Sequence, residues 1–135
     1  MRALAALIAV LALLAQPSAA AFPLGLWFGQ GEPGDDTEMW LARVVPGGQF
    51  QVQFRSCHGK QARDSIETGH WSLKGDIETI DIARVNGRPE PREDVYRILS
   101  HDARTQSYRF IKTGFFYKSV LVDGSFELPP CGLTS

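Results

Sequence analysis

Apolar and polar residues alternate along most of this chain. The clearest case is Gln49-Phe50-Gln51-Val52-Gln53-Phe54-Arg55, where every second residue is apolar. Successive side chains of an extended strand point to opposite faces, so the pattern predicts one buried face and one wet face. Similar short runs recur between turn signals about 8–12 residues apart, the spacing of an all-β sandwich or barrel. Past the N-terminal region, no helix-length stretch has apolar residues at three- and four-residue spacing. Strands are expected at 24–29, 38–45, 49–56, 68–74, 78–84, 94–100, 107–112 and 115–122, with a last short one at 125–128. The breaks contain Pro46-Gly47-Gly48, Gly75-Asp76, Asn86-Gly87, Thr113-Gly114 and Asp123-Gly124, and glycine supplies positive φ in such turns without steric cost. Segments 31–36 and 88–94 read as longer loops with prolines, and 57–65 as a polar, open loop.

Consecutive strands joined by tight turns form an up-and-down antiparallel meander. Eight strands can close on themselves and so remove the sheet edges that invite aggregation. The predicted fold class is therefore all-β, a single up-and-down antiparallel eight-stranded barrel, with a two-sheet sandwich as the alternative. The interior of such a barrel is just wide enough to be filled by side chains or to hold one small ligand. The shortness of the chain favours a filled or nearly filled interior.

The ends of the sequence change the picture. Met1-Arg2 is followed by an unbroken apolar run from Ala3 to Leu14, then by Ser18 and Ala20 at signal-peptidase spacing. Residues 1–20 read as a cleaved signal peptide, with cleavage after Ala21 as the alternative, and 21–135 as the barrel domain. The run is shorter than the roughly 20 residues needed to span a bilayer. No cysteine marks a lipobox, so the expected location is periplasmic or secreted. In an exported chain the two cysteines, Cys57 and Cys131, suggest a disulfide. It would pin the C-terminal tail to the body. Without Arg2 there are 13 basic and 15 acidic residues. The scattered arginines and lysines form no stripe for nucleic acid.

Gly25-Leu26-Trp27, at the start of the first strand, resembles the Gly-x-Trp motif of the lipocalins. Gly69-His70-Trp71 within residues 67–76 resembles the mid-barrel hairpin of small exported lipocalin-like bacterial proteins, and residues 46–50 resemble the hairpin before it. The chain thus resembles the calycin superfamily, although it lacks the lipocalin Thr-Asp-Tyr motif and C-terminal helix. The resemblance implies a binding protein rather than an enzyme. It also implies that Trp27 plugs one barrel end against a basic side chain, for which Arg97 and Arg109 are the choices here. Gly25, Trp27, Gly69 and Trp71 are the expected structural plug. Physically, each glycine leaves room for close approach and each indole fills a barrel end.

Candidate chemistry is sparse. His58, His70 and His101 lack the spacing of a metal pair, and no metal or cofactor is expected. Alternation puts His70 on the wet face, opposite Trp71. The carboxylates Asp35, Asp36, Glu90, Glu93 and Asp94 fall in expected loops, and Asp81 faces outward. No nucleophile, base and oxyanion donor come together in sequence, so no enzyme is expected. The aromatic load is more telling: eight Phe, three Trp and three Tyr. Trp40, Phe50, Phe54, Tyr108, Phe110 and Tyr117 are the candidate lining of an apolar pocket. The expected partner is a small apolar or amphipathic molecule. The alternative is an envelope protein bound through residues 21–24 and the 57–65 loop.

Overall fold

A computed structural model describes residues 22–31, 35 and 37–132. The expected signal peptide lies outside the described residues. Eight strands follow in order: β1 (Gly25–Gln30), β2 (Glu38–Val44), β3 (Gln49–His58), β4 (Gln61–Lys74), β5 (Ile77–Val85), β6 (Arg88–His101), β7 (Thr105–Phe110) and β8 (Phe116–Val122). Each pairs antiparallel with the next. β8 returns to β1 through Leu26↔Val122 to Gly29↔Ser119, which closes the barrel. Closure removes the sandwich alternative.

Three expectations are corrected. Residues 57–65 and 88–94 are not open loops but the polar outer parts of two long hairpins, with His58 paired to Gln61 and Val85 to Arg88. Pro89 and Pro91 are tolerated because β7 stops at the Tyr96↔Phe110 pair. Beyond it the last backbone bond to that side among the described residues is from the Ile111 N–H to the Val95 carbonyl at 3.0 Å, so at Pro89 and Pro91 a missing N–H breaks no β6–β7 ladder. Residues 125–128 form no strand. They belong to a tail across the outside of β1–β3. The Phe126 ring lies 5.1 Å from that of Phe28, and the Arg55 guanidinium donates to the carbonyls of Leu128 and Pro129 at 3.1 and 2.9 Å. Cys57 and Cys131 are bonded across 74 residues of sequence. Leu26 and Met39, which alternation places on the outside, are buried, as is Leu128 of the tail. No helix among the described residues is long and apolar enough to cross a membrane.

The expected filled interior is the remaining correction. The barrel is hollow, with a cavity of about 500 Å³. Burial is correspondingly incomplete: among the described residues no large side chain is wholly removed from solvent-sized space.

A candidate ligand cavity

The floor of the cavity is at the end where β1 begins. Trp27 is buried, and its Nε1–H donates to the carbonyl of Pro23 at 2.8 Å. The Phe22 ring stacks on His101 at 4.1 Å and meets Trp27 edge-on at 6.1 Å. The N-terminal segment, not an arginine, thus caps Trp27. Arg97 faces outward and pairs with Asp76 at 2.8 Å, and Arg109 is exposed opposite it in the register. Trp71 sits at the same end, half-buried, with its indole N–H donating to Val45 at 3.2 Å. His70 beside it is exposed.

Glycines set the close approaches. At Gly69 a Cβ would collide with the backbone carbonyl of Asp81, where β4 and β5 shift register. At Gly29 it would collide with the Trp40 indole, so this glycine seats a wall ring. Gly25 has φ +127° and lies against Leu121, whose Cδ1 would be 2.6 Å from an added Cβ.

Trp40, Phe50, Phe54, Tyr108 and Tyr117 line the cavity. Phe110 does not. Its ring lies 5.1 Å from Tyr96, the wall ring that sequence reading missed. The rings form a continuous arc. Trp40 meets Tyr117 edge-on at 5.6 Å, Tyr117 lies 5.8 Å from Tyr108, and Tyr108 meets Tyr96 edge-on at 5.4 Å. Geometries of this kind suit the ring quadrupoles. Gln106 Nε2, also in the wall, donates to Ser119 Oγ at 2.7 Å. Burial raises the pKa of both Tyr96 and Tyr108, reinforced by neighbouring negative charge, so both remain neutral donors.

The interior also holds charge. Glu67 from β4 and Arg92 and Asp94 from β6 line the cavity, with Arg92 Nη2 at 2.8 Å from Glu67 and 3.3 Å from Asp94. Burial alone would lower the pKa of Arg92, but the two carboxylates outweigh it and the net shift is upward. Glu78, the register partner of Tyr96, also lines the cavity. Burial pushes its carboxyl up to about 7, with no hydrogen bond offsetting the loss of water. At the mouth are Asp35, Glu38 and Phe115. Thr37 donates to Asp35 through its hydroxyl at 2.7 Å and its backbone N–H at 2.9 Å, which holds the Asp35 carboxyl below its usual range.

These polar residues were readable in part. Glu78 shares strand parity with Ile80 and Ile82, as Glu67 does with Gly69 and Trp71. Arg92 and Asp94 were hidden because a Pro-x-Pro stretch reads as loop. No three His, Cys, Asp or Glu side chains among the described residues are placed to hold a metal ion. Comparison of the chain with protein-family models, with curated proteins and with solved structures gives no match.

Proposed function

We propose that this chain is an exported, calycin-like, non-catalytic barrel that takes up a small amphipathic molecule. The observation that carries the reading is the open cavity of about 500 Å³ inside a closed barrel, walled by aromatic rings with a few inward polar groups. Small-molecule sites are typically concavities of roughly 300–1,000 Å³ with this composition. The disulfide and the signal-like first 20 residues support export.

The test is native mass spectrometry of protein purified from the bacterial envelope without denaturation, joined to a thermal-shift panel of lipids, aromatic acids, alcohols and amines. A co-purified molecule, or a concentration-dependent rise in Tm with one class, is expected. Empty protein and no shift across the whole panel would overturn the reading.

A further inference from the structure

The interior is acidic as well as aromatic. Three carboxylates, Glu67, Glu78 and Asp94, line the cavity together with the guanidinium of Arg92. Arg92 pairs with Glu67 and Asp94, and Glu78 is left over. Among the described residues no side chain donates to it, and its carboxylate faces cavity space beside the ring arc. The other charged lining residues do not restore the balance: Asp35 and Glu38 add two carboxylates, and the one further cation among the described residues of the lining, Arg55, is held by Asp64 at 2.8 Å.

An anion would be repelled by the excess of carboxylates, and a neutral molecule could offer Glu78 a hydrogen bond but no opposite charge. A half-buried carboxylate beside electron-rich ring faces suits an ammonium head, which supplies hydrogen-bond donors and lies against the negative faces of Trp and Tyr. The geometry points to an organic cation as the ligand: an amine or ammonium carried on an apolar body, with Glu78 as its counter-ion and Trp40, Tyr96, Tyr108 and Tyr117 as its cage. This deepens the reading proposed above and rests on it.

Tyr96 from β6 is the register partner of Glu78 and Tyr108 from β7 is its electrostatic neighbour, and the other titratable or charged groups lining the same cavity from neighbouring strands are Glu67 from β4, Arg92 and Asp94 from β6 and Tyr117 from β8. The tyrosines stay neutral in the physiological range and Arg92 is already paired. Glu78 is therefore the group whose charge changes near neutrality. A bound cation requires it ionised, so amine affinity rises with pH.

The test is calorimetric titration with three probes on one phenylbutyl body: 4-phenylbutylamine, 4-phenylbutanol and 4-phenylbutyrate. At pH 8 the amine binds about tenfold or more tighter than the alcohol, and the carboxylate binds weakest. In Glu78→Gln, with the fold verified by circular dichroism, the amine-to-alcohol ratio falls to about threefold or less. The wild-type protein supplies a second readout, because the same ratio drops by about tenfold between pH 8 and pH 5.5. Equal binding of amine and alcohol, or a preference that survives both Glu78→Gln and acidification, overturns the inference and leaves the binding barrel standing. No heat from any of the three at millimolar concentration also removes it, and the wider ligand panel then decides the parent reading.

Discussion

At Glu78 the fold works against the ionised side chain. Its carboxyl is held at about 7 by burial, against an ordinary value of 4.5. The folded state therefore holds this proton more tightly than the unfolded state does. The Glu78 contribution is greatest below about pH 4.5, falls as pH rises through about 7 and stays low above that. A shift of this size is worth at most about 3 kcal/mol, and water in the cavity reduces it. Glu78→Gln removes the ionising group while keeping the shape. Urea denaturation at pH 5 and pH 8 should show the variant gaining about 2 kcal/mol relative to wild type at the higher pH. Parallel pH profiles would mean that the carboxylate is as well solvated in the barrel as in the unfolded chain. Retaining such a group in a wall of rings costs stability.

At the scale of elements, the barrel is held by more than its ladders. The tail after β8 runs across β1–β3 and is fastened at one point by Phe126 on Phe28, at a second by Arg55 and at a third by the Cys57–Cys131 bond. A disulfide closing a loop of 74 residues limits the unfolded chain by about 4 kcal/mol at most. The double variant Cys57→Ser/Cys131→Ser should lose about 3–4 kcal/mol in urea denaturation, and limited proteolysis should then nick residues 123–132 first. A loss under about 1 kcal/mol would show that Arg55 and the Phe126 contact hold the tail unaided. The long polar hairpins β3–β4 and β5–β6 show why element lengths escape a sequence reading. Past the core, pairing no longer requires apolar residues, so the alternation that marks a strand disappears while the hydrogen bonds continue.

For the whole molecule, the deciding fact is that the barrel is hollow. In a filled core, adding methylenes forces neighbours off their rotamers and costs about 1–3 kcal/mol. Val52 lines the cavity from β3, so Val52→Phe has empty space to enter. Its stability should stay within about 1 kcal/mol of wild type, while affinity for the ligand class found by the thermal-shift panel drops about tenfold or more. Destabilisation beyond about 2 kcal/mol would show that the wall cannot give and that the cavity is not available volume. The same variant separates the cavity from the outer face as the site of binding.

The sequence by itself determined the all-β class and the rough positions of the eight strands, because period-two alternation and glycine turns are local properties that need no knowledge of neighbours. That 125–128 form no ninth strand, and that the sheet closes as a barrel and not a sandwich, came from the tertiary structure. It also marked Cys57 with Cys131 as a bridge and most of the wall rings, since parity alone sorts Phe50 and Phe54 from the glutamines between them. Only the tertiary structure decided what the inside holds. Whether eight strands enclose a packed core or a cavity depends on how side chains from all of them meet across the barrel, and alternation along one strand carries no such information. The same limit hid the interior charges. Glu78 shares a face with Ile80 and Ile82, but only closure of the sheet places it in a cavity walled by tyrosines from other strands.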